Sequence, residues 1–265
     1  MIWRELINLS QILPLYLPDQ PEQRPNHSAT PYAVQTHAET IQLLHMNVFR
    51  FNTDHNKMVA HIRQVQPDII SLAEFNEGWI RAMKDNATLN AFPYHLTDPQ
   101  SRIALFSKWP LEQLKRYPLS SPWDAVYVAD FKLADELVRL MLIHPKPPVF
   151  PSIVASHHEH RALVRELIVE GQREGIRHWL IMGDMNMTSW SVLFQQMLRE
   201  TQTRDSRKGF GLQASWPIQS PLMMIPIDHC LVSSGLQVIQ RSLGPSVGSD
   251  HRPVAIELGL QPEND

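Results

Sequence analysis

Ile181-Met182-Gly183-Asp184-Met185-Asn186-Met187-Thr188 decides how this chain is read. Just before it, residues 178–182 form a short apolar run with the look of a buried strand. Just after it, Val192, Leu193, Met197 and Leu198 recur at helical spacing. A strand that runs into a helix through Gly183 sets Asp184 and Asn186 at the strand's carboxyl end, where open α/β sheets place ligands. Gly183 permits the sharp turn expected there. A carboxylate beside an amide suits an anionic substrate held next to a metal. Gly-Asp-x-Asn alone is also an ordinary turn sequence, so its weight depends on the rest of the chain.

Working outward, the same strand-then-polar pattern recurs. Residues 40–47 alternate into a strand ending at Asn47. Asp54 is placed to cap a helix whose Met58, Val59, Ile62 and Val65 share a face, and Pro67 stops it. A strand over 68–73 ends at Glu74, and a helix follows over 77–87. Residues 102–107 form a third strand, and 125–133 with 136–143 form a hairpin turning at Ala134-Asp135. The hairpin ends at His144, because Pro145, Pro147 and Pro148 prevent its continuation. A helix spans 156–171. Beyond the central motif, an irregular stretch covers 203–226, and strands cover 227–232, 236–242 and 254–258. Strands in pairs interrupted by helices indicate a sheet-rich α/β layer protein in a single domain.

Composition sets the outer limits. The 265 residues are 43% hydrophobic, enough for a sizeable core. The net charge of −3 gives no general attraction to nucleic acid or anionic lipid, so a phosphate-bearing substrate needs a local cation. The single cysteine, Cys230, excludes an internal disulfide and leaves the compartment open. No run of about 18 apolar residues is present. Residues 18–40 are rich in Pro, Gln, His and Thr, so residues 1–40 read as an N-terminal arm or linker and 41–265 as the folded domain.

Asn47, Glu74, His144, Asp184 with Asn186, and Asp250 with His251 all lie at strand ends, and Asp228 lies within Ile227-Asp228-His229-Cys230. Polar groups so placed are costly unless paired or bound to something. Asn47-Val48, Ala73-Glu74, Gly183-Asp184-Met185-Asn186, Ile227-Asp228-His229 and Ser249-Asp250-His251-Arg252-Pro253 resemble, in order, the motifs of the endonuclease/exonuclease/phosphatase superfamily of metal-dependent phosphoesterases. Residues 103–108 are similar to that family's strand before its mid-chain region. The resemblance spans roughly residues 41–258. It implies a deoxyribonuclease-like four-layer fold, a two-sheet β-sandwich flanked by helices. It also implies hydrolysis of a phosphodiester by water, nuclease-type, with Mg²⁺ or Mn²⁺ as cofactor. A phospholipid or inositol-phosphate phosphoesterase, or a non-catalytic binding module that keeps the fold, are the alternatives. Residues 144–148 and 209–217 are similar to a bacterial branch that often carries transmembrane helices. That similarity implies a membrane tether outside this chain, with residues 1–18 as its stub; no obligate protein partner is inferred.

The resemblance also implies roles. Glu74 is the metal residue, with Asp250 and Asn47 in support, since Mg²⁺ prefers oxygen ligands and keeps several waters. Some family members carry an Asp two positions after the first Asn, where this chain has Phe49. His251 is the general-base candidate, oriented by Asp228. Asp184 orients the attacking water or takes its proton, and which of Asp184 and His251 does so stays open. Asn186 positions the scissile phosphate, and His144 donates to a phosphate oxygen as charge builds. Other features carry less. His157-His158-Glu159-His160 has a zinc-like look but reads as a solvated helix terminus. Cys230 reads as a small core residue, Arg252 as the partner of a structural carboxylate, and Trp216 as core or as part of a substrate rim.

Overall fold

A computed structural model describes residues 15–16, 39–84 and 86–261, leaving aside the side chains of 151 and 152. The arm reading for residues 1–40 lies almost wholly outside the described residues. Among the described residues twelve strands form two six-stranded sheets. The first contains β1 (Thr40–Asn47), β2 (Ile69–Ala73), β3 (Tyr94–Asp98), β4 (Ile103–Ser107), β11 (Leu236–Leu243) and β12 (Val254–Leu260), in the order β11-β12-β1-β2-β4-β3. The second contains β5 (Gln113–Pro118), β6 (Ala125–Leu133), β7 (Glu136–Leu142), β8 (His178–Asp184), β9 (Thr203–Asp205) and β10 (Asp228–Ser233), in the order β5-β6-β7-β8-β10-β9.

Strand alternation explains the layers. Along β1, Ile41 and Leu43 turn toward the second sheet and pack with Tyr127, Phe131, Leu140, Leu180 and Met182. Leu44 and Met46 turn the other way, onto Met58, Val59 and Ile62 of α1 (His55–Val65) and Trp79 of α2 (Glu77–Met83). In the second sheet Met141 and Ile181 turn onto Val164 and Leu167 of α3 (Pro151–Arg173) and Phe194 and Met197 of α4 (Val192–Thr201). Helices, sheet, sheet and helices make four layers, as expected. Because both faces of the central strands are covered, they read as continuous apolar runs.

Each sheet holds one parallel pair, β1 with β2 and β7 with β8, bridged by α1 and α3 respectively. The carboxyl ends of these four strands supply Asn47, Glu74, His144 and Asp184. β10 runs antiparallel to β8 with Asp228 opposite Asp184, and β12 runs antiparallel to β1 with Val254 opposite His45. The segment leading into β12 therefore arrives at the same edge.

Several expectations need correction. β3, β5 and β9 were not foreseen; they are half-exposed edge strands without an apolar run. α3 starts at Pro151, five residues before Ser156, with proline in the first turn where its missing N–H is harmless. Asp54 precedes α1 but makes no capping hydrogen bond and pairs with Lys57 instead. Gly183 does not turn the chain. It lies inside β8, where an added Cβ would sit 1.9 Å from the Ile143 carbonyl oxygen, so it allows β7 and β8 to close together.

Candidate active site

The strand ends converge on a cleft of about 760 Å³ lined by Glu74, His144, Asp184, Asn186, Asp250 and His251. Of the eight residues singled out from the sequence, Asn47 and Asp228 lie in the layer beneath, where they hold the lining residues in place.

Asp184 is the hub. It is 1% exposed. Its Oδ1 accepts from the Asn186 N–H at 3.0 Å, a contact set up by the left-handed backbone of Asn186, φ 49°. Its Oδ2 accepts from Asn47 Nδ2 at 3.0 Å. His144 Nε2 and His251 Nε2 stand 3.7 and 3.8 Å from the same oxygen. Burial raises the Asp184 carboxyl above the usual carboxylate range; His251 opposes the rise and nearby Asp228 adds to it.

His251 and Asp228 form a buried pair. His251 Nδ1 donates to Asp228 Oδ2 at 2.8 Å. Burial works against a charged imidazole, but Asp228 and Asp184 outweigh it and hold the His251 pKa well above its ordinary value. Burial likewise works against the Asp228 carboxylate, yet His251 and its hydrogen bond bring that carboxyl below its ordinary range. The other oxygen of Asp228 faces His45, whose Nε2 is 3.3 Å away. That contact is close enough for an ion pair but off-angle for a hydrogen bond, and neither atom has another partner. His45 Nδ1 in turn meets Ser71 Oγ at 3.1 Å. His45 was missed in the sequence, although it shares a strand face with Asn47 two residues on.

Glu74 ends β2 with a left-handed backbone, φ 60°, which turns its carboxylate into the cleft. Asn47 Nδ2 approaches Oε1 at 3.4 Å and the Arg50 N–H donates to Oε2 at 3.0 Å. The Asn47 oxygen accepts from the Phe49 N–H at 2.9 Å, so Asn47 touches Glu74 and Asp184 through its amide nitrogen. Phe49, Arg102 and Asn186, all on the cleft wall, are also left-handed. Non-glycine residues so held store strain that clusters at functional sites.

Asp250 and His251 both reach the cleft because residues 244–253 are irregular, as Gly248 and Pro253 suggested. Ser249 Oγ donates to the Asn47 carbonyl at 2.7 Å and accepts from the His251 N–H at 3.0 Å. Trp216 Nε1 donates to Asp250 Oδ2 at 3.0 Å, which places Trp216 on the wall rather than in the core. Asn186 Nδ2 donates to the Pro145 carbonyl at 3.0 Å, which keeps one amide hydrogen and its oxygen for the cleft.

His157 and His160 do not form a solvated terminus: both are buried, their ring nitrogens meeting the carbonyls of Lys146 and Ser156 at 2.8 Å. Arg252 donates to the Gly244 carbonyl, not to a carboxylate. Cys230 is a buried core residue, its thiol pushed up to about 12 by burial.

Two places have metal-ligating chemistry. Asp184, Asp228 and His251 bring ligand atoms within 4.8 Å of one another, the only such group among the described residues. A cation inside that trio would compete with the His251–Asp228 hydrogen bond. Glu74 and Asp250 offer half-buried carboxylates in the cleft, the hard oxygen donors that Mg²⁺ or Mn²⁺ accepts. The residues present therefore fit such an ion.

Comparison with known proteins agrees with this layout. A search of curated proteins by sequence finds no match. Among solved structures, an endonuclease/exonuclease/phosphatase from Bacteroides vulgatus superposes with TM-score 0.68 at 14% identity over 84% of this chain and 99% of that one. D. rerio TDP2 complexed with single-strand DNA product gives 0.65 at 12% over 83% and 99%. Sphingomyelinase C from Streptomyces griseocarneus gives 0.58 at 14% over 82% and 99%. The sequence profile of the endonuclease/exonuclease/phosphatase family matches residues 44–251. With that match over most of its length, and with both sheets and their order in place, this chain belongs to the endonuclease/exonuclease/phosphatase family.

Proposed function

We propose that this chain hydrolyses a phosphodiester by attack of water, with a divalent cation, Mg²⁺ or Mn²⁺, held by Glu74 and Asp250. The single observation that carries the reading is the Asp184 carboxylate, fixed by Asn47 and Asn186 and flanked by two histidines at 3.7 and 3.8 Å. When bound, the cation supplies Lewis-acid stabilisation of charge on the phosphoryl oxygens. Asn47 aims Glu74 rather than acting alone as a ligand.

The water oxygen forms the new P–O bond as the bond to the leaving oxygen breaks; Asp184 takes the proton of the attacking water, and the leaving oxygen gains one from solvent. The raised pKa of Asp184 makes it a better base than an ordinary carboxylate. His251, kept charged by Asp228, donates through Nε2 to a phosphate oxygen as negative charge grows. His144 offers a second donor on the opposite side of Asp184, and Asn186 holds the phosphate with its remaining amide hydrogen. Asp228 fixes the orientation of the His251 ring and stabilises its charged form, as the carboxylate of a catalytic triad does for its histidine.

The test is turnover of a chromogenic phosphodiester with Mg²⁺, with Mn²⁺ and with chelator. Metal-dependent hydrolysis by the wild type and its loss in Asp184→Asn are expected. Full activity in chelator, or an active Asp184→Asn protein, would contradict the reading.

A further inference from the structure

Among the described residues eleven large apolar side chains are exposed, and six of them crowd one region. Phe51, Trp123, Val149, Phe150, Leu222 and Met223 stand on the four loops that also wall the cleft. Their exposure runs from 55% for Trp123 to 103% for Leu222. Trp123 and Val149 line the cleft itself, together with Phe49, Trp216 and Ile225. Phe51 meets Phe49 edge-on, with ring centroids 5.5 Å apart, which makes the rim continuous with the cleft wall. An apolar surface of this kind around a polar site marks an interaction surface.

Cations sit inside this rim. The Arg50 guanidinium lies 4.7 Å over the Phe51 ring. Lys146 is half-exposed beside Asp124. Arg102 lines the cleft with a left-handed backbone, held by its own carbonyl accepting from the Phe75 N–H at 3.0 Å. Positive charge within a ring of aromatic and aliphatic side chains matches an anionic headgroup presented at an apolar boundary.

We infer that the mouth of the cleft docks on a phospholipid surface and that the scissile phosphodiester is that of a lipid headgroup. The inference rests on the phosphodiesterase reading above and names its substrate class. Leu222 and Met223, at the tip of a short 3-10 turn over Pro221–Met223, enter the acyl boundary. Trp123 sits at headgroup level, where its amphipathic ring is favoured. A nucleic acid fits this surface less well. Val149, Leu222 and Met223 have no face on which a base could stack. A strand also needs successive cations for successive phosphates. Three arginines are withdrawn from any such role: Arg139, Arg207 and Arg241 are buried and bonded to Asp130, Asp205 and Ser206 respectively.

The experiment is flotation with vesicles of equal parts phosphatidylcholine and phosphatidylglycerol, run beside turnover of the same vesicles and of a water-dissolved chromogenic phosphodiester. Wild type is expected to float with the vesicles and to release headgroup from them. Leu222→Asp with Phe150→Asp, both far out in solvent, should cut vesicle binding and vesicle turnover at least tenfold while turnover of the dissolved diester stays unchanged. Equal flotation of variant and wild type would overturn the docking, as would tight binding of a single-stranded oligonucleotide that these two changes abolish. A wild type that cleaves the dissolved diester but ignores vesicles defeats the docking alone. One that floats but cleaves no phosphodiester defeats the catalytic reading on which the headgroup assignment rests.

Discussion

At the scale of single residues, the site is a chain of contacts around two carboxylates. Asp228 holds His251 and meets His45, and Asp184 receives Asn47 and the Asn186 backbone. In the proposed mechanism Asp228 acts through His251, so their losses should not multiply. Asp228→Asn and His251→Ala are each expected to lower the rate about 10²–10⁴-fold, with the double variant no slower than the worse single one. Steady-state rates on a phosphodiester decide this; a double variant slower by the product would separate the two residues. Most of these residues were legible in the sequence, since Asn47, Glu74, Asp184, Asn186, Asp228, Asp250 and His251 sit at strand ends in recognisable motifs. What was not legible is direction and burial. No pattern of letters shows that Asp228 faces His45 between the two sheets, or that burial makes Asp184 the more basic carboxylate. The left-handed backbone of Arg102 is equally silent, because arginine has no preference that announces it.

At the scale of elements, β7 and β8 decide where His144 and Asp184 stand. They run parallel, and Ile143 N–H donates to the Met182 carbonyl at 3.1 Å. A methyl group at position 183 would meet the Ile143 carbonyl at a distance that real side chains never reach, so one strand must move. Gly183→Ala is therefore expected to destabilise the fold by about 2–4 kcal/mol, as overpacking and strain do. Urea unfolding would show it as a lower midpoint at unchanged slope, and a midpoint equal to wild type would mean that β7 yields freely. The sequence pointed to Gly183 for a different reason, a turn, because a close approach between strands distant in sequence has no local signature. Edge strands escaped for a related reason. β5 carries Lys115 and Arg116 and has only one neighbour in its sheet, so neither periodicity nor an apolar run marks it.

At the scale of the whole molecule, burying histidines couples folding to pH. His160 is brought down to about 4 by burial, and His229 to about 3 by burial and by nearby Arg207. Both are neutral when folded, and in the unfolded chain both titrate near about 6.5. The unfolded chain therefore binds more protons below that value, and stability falls as pH drops from about 6.5 toward 4. Each histidine contributes on the order of 3 kcal/mol to the loss. His251, held above its ordinary value, acts only above about 6.5, where stability declines as pH rises. Unfolding curves between pH 7 and 4.5 should slope accordingly, and His160→Gln should flatten the slope; an unchanged slope would remove His160 from the account.

The fold ties these scales together, since two sheets bring four parallel-strand ends and two antiparallel neighbours to one edge, where Glu74 and Asp250 face the cleft. Calorimetric titration of Mn²⁺ into wild type and Glu74→Gln tests most directly whether Glu74 holds the cation. One binding site is expected in the wild type, lost or weakened at least tenfold in the variant, whose unfolding midpoint stays within error of the wild type. Equal Mn²⁺ affinity in both proteins would contradict that role.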